Sequence, residues 1–534
     1  MTTIDHDTHL RLPVHNGHSL LAGLRRHRHD PVLTLGDTVL TGADVLDAIS
    51  RYAAAFAANG VGTGTPVGVL AMNRPEVLFT IAAGQVRGYR RTALHPMGGL
   101  DDHAYVLDDA EITTLVLDPV PAFVQRAREL VDRVPRLNRV LVLGAVPPEL
   151  ADVGIDLTAA AAAVDLEPIE ATDLSPDDVV SISYTGGTTG KPKGVIGSAL
   201  TMATMTQIQL SEWEWPQRPK FLICTPLSHA GAAFFLPVVL LGGQCVVLPR
   251  FEPGEVLRAI EEHRITATML VPSMLYALLD HPDLATRDLS SLETVYYGAS
   301  AIDPTRLTQA IERFGPIFAQ YFGQSEAPMA ISYLGKREHD SQRLTSCGRP
   351  SAALRVALLD GDDKVVAPDE VGEICVSGPL VAAGYLNKPE ATAETFRDGW
   401  LRTGDLARQD ADGFLHIVGR SKDMVVTGGF NVFPREVEDV VAEHPLVSHV
   451  AVVGVPDPRW GEAVTAVVVL DPAAHSDSTA VETMIAEIQE TVRQRKGSVQ
   501  VPKHVLVIDE LPLTGLGKPD KKAVRALAAD RLGN

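Results

Sequence analysis

Between about residues 30 and 350, short apolar runs alternate with helical stretches. "PVGVLAM", "TTLVLD", "RVLVLG", "FLICTPL", "TATMLV" and "TVYYGAS" read as strands, and segments such as "GADVLDAISRYAAAFAANG" between them read as helices. This alternation predicts parallel or mixed sheets covered by helices, with ligands at strand ends and helix N-termini. From about Ala352 to Val418 the pattern shifts to short strands and turns, "RVALLDGDDKVV", "GEICVSG" and "GFLHIVG", predicting a small antiparallel unit. Strand-helix alternation then returns: "EVEDVVAEHP", "SHVAVVGVPD", "EAVTAVVVL" and a late helix near Ile485 to Arg495 predict a compact α+β domain of about a hundred residues. A domain boundary is expected near Gly419 to Lys422.

At 534 residues the chain exceeds what one hydrophobic core holds, and its length predicts roughly three or four domain-sized units. Hydrophobic residues at 45% and charged residues at 21% fit a soluble globular protein and exclude disordered or collagen-like classes. A formal net charge of −20 with no basic tail argues against nucleic acid or an anionic membrane surface as main partner. The opening "MTTIDHDTHLRL" has acids and histidines where a secretory signal needs a positive end and an apolar core. Cys224, Cys245, Cys347 and Cys375 form no CxxC pair, so a reducing, cytoplasmic location is expected. Six histidines lie in the first thirty residues, including His27 and His29, without the cysteine or carboxylate cluster a metal site would need. The uncharged run Ala230 to Leu248 approaches membrane-spanning length. Pro237, Gly242, Gly243 and Gln244 divide it into a short helix, a turn and a strand, so no membrane span is predicted.

One stretch stands apart chemically. "SYTGGTTGKPKGV", Ser183 to Val195, holds four glycines, three threonines and two lysines. After the strand-like "VVSISY", such a loop can gather backbone N–H groups and hydroxyls around an anion, phosphate above all. It is not a Walker A loop, because Thr185 stands where that pattern needs glycine and Pro192 follows Lys191. A glycine-rich surface turn is the competing reading.

"YTGGTTGKPKG" resembles the phosphate loop of the adenylate-forming superfamily, which includes acyl-CoA synthetases, coumarate-CoA ligases, luciferases and peptide-synthetase adenylation domains. The likeness covers nearly the whole chain through motifs in family order: "TPLSHAGA" at Thr225, "YFGQSEA" at Tyr321, "GEICVSGPLVAAGYLNKPEAT" at Gly372, "WLRTGDL" at Trp400, "GRSKDMVVTGGFNVFPREVE" at Gly419 and "LPLTGLGKPDKKAV" near the C-terminus. The chain looks most like bacterial fatty-acid-CoA ligases. The resemblance implies an α/β fold: a large N-terminal domain of stacked α/β sheets with the small β unit (1–419), a hinge (420–423) and a small mobile α+β C-terminal domain (424–534). It also implies attack of a carboxylate on the α-phosphorus of ATP, release of pyrophosphate, and capture of the acyl-adenylate by a nucleophile. Two anions must meet, so the site has to supply cations and oriented donors.

By the same resemblance, Thr185, Gly187, Thr188, Thr189 and Lys193 hold the β- and γ-phosphates, although Gly186 stands where the family often has serine. Glu326 holds magnesium, with a solvated helix-start position as its plain alternative. Tyr321 lies against adenine, the segment Gly298, Ala299 and Ser300 forms the opposite wall, and Gly323, Gln324 and Ser325 complete the nucleotide set. Asp405 binds both ribose hydroxyls and Arg420 reaches ribose or phosphate. Lys518 bridges the carboxylate and the α-phosphate during adenylation, carried in and out by the C-terminal domain, with Lys422 at the hinge. Gly428 and Gly429 line a pantetheine tunnel, favouring coenzyme A. His229 gates or orients the acid, or is a core histidine; Ala232, Ala233, Phe234 and Tyr297 set the acyl pocket, Tyr297 having a core role as its alternative.

Two departures qualify the likeness. "GYRRTALHP", Gly88 to Pro96, places Arg90, Arg91 and His95 where relatives carry small apolar residues, either as surface groups or for a polar part of the substrate. "KGSVQVPKHV" lacks the usual aromatic-lysine pair before the last motif. The leading reading is an acyl-CoA synthetase using ATP, Mg2+ and coenzyme A on a fatty or aryl acid, and the family leaves room for a homodimer. The rivals are an adenylate-forming enzyme with another acceptor or acid, such as an amide ligase or a nitrite-activating diazotase, and a nonenzymatic nucleotide-binding relative.

Overall fold

The computed structural model describes residues 15–185, 191–471, 478–513 and 519–533. Two large sheets form the N-terminal part. One has seven strands in the order Gly154–Asp156, Arg139–Val142, Thr114–Leu117, Pro66–Leu70, Arg90–Ala93, Val179–Thr185 and Lys193–Ser198, all parallel except the last pair. The other has nine, with Lys220–Ile223, Gln244–Val247, Ala267–Leu270 and Thr294–Tyr297 parallel at its centre and the antiparallel pair Phe318–Gln324 and Ala327–Leu334 towards one edge.

The predicted alternation is borne out, and side-chain alternation along each strand explains the layering. Val67, Val69, Val116 and Leu141 from one sheet share a core with Phe221, Met269 and Tyr296 from the other, and the helices Asn16–Arg26, Gly42–Ala58, Pro75–Arg87 and Phe235–Leu240 supply its remaining side chains. The intervening positions face outward: Leu115 and Leu117 pack beneath the helix Leu100–Asp109, while Val295 and Tyr297 pack beneath Pro253–His263 and Pro304–Phe314. The helix Gly42–Ala58 starts where Thr41 and Asp44 satisfy each other's backbone N–H groups. The run Ala230 to Leu248 becomes a short 3-10 turn, the helix Phe235–Leu240, a glycine turn and the strand Gln244–Val247. Among the described residues no helix is long and apolar enough to cross a membrane.

The expected small unit is a five-stranded antiparallel sheet running from Arg355–Leu359 to Leu415–Arg420. The C-terminal part has its own valine-rich core on a second five-stranded sheet. Here strand-helix alternation gives way to pairing: Val447–Asp457 and Gly461–Leu470 form a long antiparallel hairpin, and only His504–Ile508 joins in parallel, after the helix Ser478–Lys496. Arg435 donates to Ile302 O, and Arg408 lies 3.5 Å from Glu436, so the C-terminal part touches both the loop after the strand Thr294–Tyr297 and the β unit.

Candidate active site

The hairpin Val179–Thr185 and Lys193–Ser198 brings Thr185 and Lys193 directly opposite each other. Gly187, Thr188 and Thr189 fall between them, outside the described residues, as does Lys518. Lys193 Nζ stands 4.7 Å from the centroid of the Tyr385 ring. The same tyrosine donates its phenol to Glu326 Oε1 at 2.7 Å. Glu326 is buried in the turn between two strands of the nine-stranded sheet, so it is neither solvated nor at a helix start. Among the described residues no group of three or more His, Cys, Asp and Glu gathers, so a cation beside Glu326 would take most of its oxygen ligands from phosphate and water, as magnesium does.

Asp405 and Arg420 are paired across the β-unit hairpin, with Arg420 Nε donating to Asp405 Oδ1 at 2.9 Å. Asp405 is 5% exposed and, among the described residues, nothing hydrogen-bonds its Oδ2. Burial pushes its carboxyl pKa up, Arg420 opposes that, and the charges of Glu326 and Lys422 act on it as well, the first raising and the second lowering it. Gln324 Nε2 donates to Thr403 O at 3.3 Å, holding the nucleotide-motif strand to the "TGDL" strand.

Sequence reasoning expects a slot between Tyr321 and the segment 298–300; at Gly298 the two neighbouring strands lie in direct contact. A Cβ added to Gly298 would come within 3.0 Å of the Tyr321 ring, so the backbone lies directly on it. The ring's stacking partner is Trp213, 5.2 Å between centroids. Ala299 is exposed with φ of 67°, turning the chain outward, and Ser300 is half-buried beside it. Gly323 meets the backbone of Met329 within 2.4 Å of where a Cβ would stand, and Ser325 occupies the turn before Glu326.

Tyr297 is corrected to the core. It points away from the inner layer and reaches Gln320 and His339, at 3.2 and 2.9 Å, because alternation along Thr294–Tyr297 turns Tyr296 inward instead. Phe234 is fully buried with Tyr296, Phe221 and Trp213, whereas Ala232 and Ala233 keep partial exposure. His229 sits in a recess open to solvent, its Nδ1 2.8 Å from Ser228 Oγ and its ring edge-on to His95 at 5.0 Å. That recess, with His95 and Arg91 nearby, pushes its pKa down to about 4.

Lys422 lies in the short turn Ser421–Asp423 that follows Arg420. Gly428 and Gly429, with φ of 59° and 83°, make the two-residue turn of a hairpin, and Trp460 packs against Gly428.

With this geometry in view, the comparisons with known proteins decide the family. The model of the AMP-binding enzyme matches residues 22–386, and that of the AMP-binding enzyme C-terminal domain matches 436–518. The chain belongs to the AMP-binding enzyme family. This AMP-binding enzyme is 67% identical to the medium/long-chain-fatty-acid–CoA ligase FadD8 of Mycobacterium tuberculosis, over 97% of this chain and 90% of that one. It is 35% identical to a feruloyl-CoA synthase of Amycolatopsis, over 94% and 97% of the two chains. Among solved structures, the amide bond synthetase McbA from Marinactinospora thermotolerans superposes with a TM-score of 0.86 at 33% identity, covering 96% of this chain and 99% of McbA.

Tyr385, which bonds Glu326, and Trp213, which stacks on Tyr321, are neighbours of the AMP-binding enzyme's motif residues that sequence reasoning passes over. "WEW" at Trp213 to Trp215, in a chain with only four tryptophans, was the available signal.

Proposed function

We propose that this protein is an AMP-forming acyl-CoA synthetase: it activates a fatty or aryl carboxylic acid as acyl-AMP, releasing pyrophosphate, and passes the acyl group to coenzyme A. The observation that carries the nucleotide half is the buried Asp405 with Arg420 on one oxygen and, among the described residues, nothing on the other. A carboxylate removed from water needs donors on both oxygens, and a ribose diol supplies them. The relatives named for coenzyme A ligation support the acceptor.

In this reading Thr185, Gly187, Thr188, Thr189 and Lys193 cradle the β- and γ-phosphates. Glu326, steadied by Tyr385, would hold magnesium, which neutralises phosphate charge when bound. Lys518 stabilises charge where carboxylate and α-phosphate meet. The C-terminal domain, 424–534, turns about 420–423 between the half-reactions, and Gly428 and Gly429 give pantetheine a narrow path. The four cysteines, all buried and unpaired, suit a reducing cytoplasm.

Pyrophosphate release across a panel of acids, with and without coenzyme A, tests this: at least one acid gives release and a coenzyme-A-dependent thioester. ATP–pyrophosphate exchange absent with every acid overturns it in favour of a binding protein. A second reading changes only the acceptor, favoured by the likeness to an amide bond synthetase along nearly the whole chain. It predicts amide formation with an added amine faster than thioester formation.

A further inference from the structure

Asp405 does not sit in a regular ladder. The strands Gly372–Ser377 and Trp400–Gln409 pair Glu373 with Leu406 and Cys375 with Arg402, so Ile374 alone spans the interval that Thr403, Gly404 and Asp405 fill on the other strand. Three residues against one leave a bulge at the point where the strand carries its carboxylate. Gly404 absorbs the turn with φ of 72°, a left-handed torsion that favours glycine.

A bulge forfeits ladder hydrogen bonds, and here side chains replace them. Thr403 Oγ1 donates to Ile374 O at 2.7 Å and accepts from Asp405 N at 3.1 Å. Gly404 N donates to Glu373 Oε1 at 2.7 Å. That bond holds the peptide between Thr403 and Gly404, so the direction in which the chain enters Asp405 depends on it.

The Glu373 carboxylate is itself oriented. Arg402, 8% exposed, brings Nη1 to 3.7 Å from Glu373 Oε2 and 3.3 Å from Cys375 Sγ, while its Nη2 donates to Asp363. With Oε2 facing a buried guanidinium that keeps its proton, Oε1 is left for the Gly404 N–H. A charged acceptor makes the stronger bond, and two oxygens with separate tasks fix the plane of the group. On the far side of the bulge, Asp405 meets Arg420 through Oδ1 and presents Oδ2 without a hydrogen-bond partner among the described residues.

We propose that Glu373 is a positioning residue: by holding the Gly404 N–H it aims the Asp405 carboxylate, and so sets the grip on the ribose of ATP, acting through the bulge and not on the nucleotide. This rests on the ribose-binding reading of Asp405. Calorimetry on the full chain tests it with ATP and the two monodeoxy-ATPs, each lacking one ribose hydroxyl. The parent should bind ATP more tightly than at least one of the deoxy analogues. Glu373→Leu should bind ATP about ten-fold more weakly and lose most of that preference, the scale of one hydrogen bond to a charged group. Glu373→Gln keeps an acceptor without the charge and should fall between, the comparison being read on whichever variant keeps the parent's unfolding transition. Added to Asp405→Asn, either change should weaken ATP binding no further, because a residue acting through Asp405 then has nothing left to aim. A merely structural role would weaken ATP and its deoxy analogues alike, or add its loss to that of Asp405→Asn. Either result overturns the proposal, as does binding by the variants indistinguishable from the parent's, and in each case the parent's preference for ATP leaves the ribose-binding reading standing. A parent that binds ATP and both analogues equally removes that reading, and the proposal with it.

Discussion

The Tyr385 phenol donates to Glu326 Oε1 at 2.7 Å, across 59 positions of sequence, and both residues are buried. A hydrogen bond to a buried carboxylate contributes about 1.5–3 kcal/mol, and it fixes the direction in which the second oxygen points. Tyr385→Phe should lower kcat/KM for ATP–pyrophosphate exchange about ten-fold and raise the magnesium concentration giving half-maximal rate. Exchange rates measured across a magnesium series check both effects.

Gly298 touches Tyr321 so closely that a new Cβ would lie 2.5 Å from the Tyr321 carbonyl oxygen and 3.0 Å from its ring. Backbone cannot give way cheaply. Gly298→Ala should destabilise the protein by about 1–3 kcal/mol and weaken ATP binding at the same wall. Denaturant unfolding and nucleotide titration of the same variant separate the two consequences.

His229 has a folded-state pKa of about 4, pushed down by its recess and by His95 and Arg91, against about 6.5 when unfolded. Between those values the unfolded chain binds the extra proton, so stability rises with pH across this window and falls on acidification. His229→Gln should flatten the dependence of the unfolding midpoint between pH 4 and 6.5 relative to the parent. Equal slopes for both proteins would contradict the assignment.

Lys518→Ala should reduce formation of the acyl-adenylate by about 10²- to 10³-fold, the scale of losing one charge-stabilising donor. Thioester formation from supplied acyl-adenylate should stay near the parent rate, because the proposed role of the lysine belongs to the first half-reaction. Single-turnover assays of each half-reaction distinguish this from general unfolding.

Strand positions in the N-terminal part are legible because each is a short apolar run bounded by turns. Which face a residue takes is less so. Tyr296 and Tyr297 are both fully buried, so period-two patterning gives no polar side to orient them, and only packing sends Tyr296 inward. The C-terminal α+β domain is legible, but the pairing of its two long strands as one hairpin is not, because both arms are nearly continuous valine and alanine. The turn signal was present in "PDPRWG", where Gly461 takes φ of 78°. Motif residues such as Glu326, Asp405 and Arg420 are legible through resemblance, yet Tyr385's contact with Glu326 depends on a long-range fold that no local pattern encodes.

Arg420 is the last residue of its strand and is fastened to Asp405 across the hairpin, one position before the Ser421–Asp423 turn. That strand end is a fixed post. Torsion accumulated from Ser421 onward can swing the following sheet through an arc while the post stays clamped, so reorienting the C-terminal part need not disturb the grip that Asp405 has on whatever it holds.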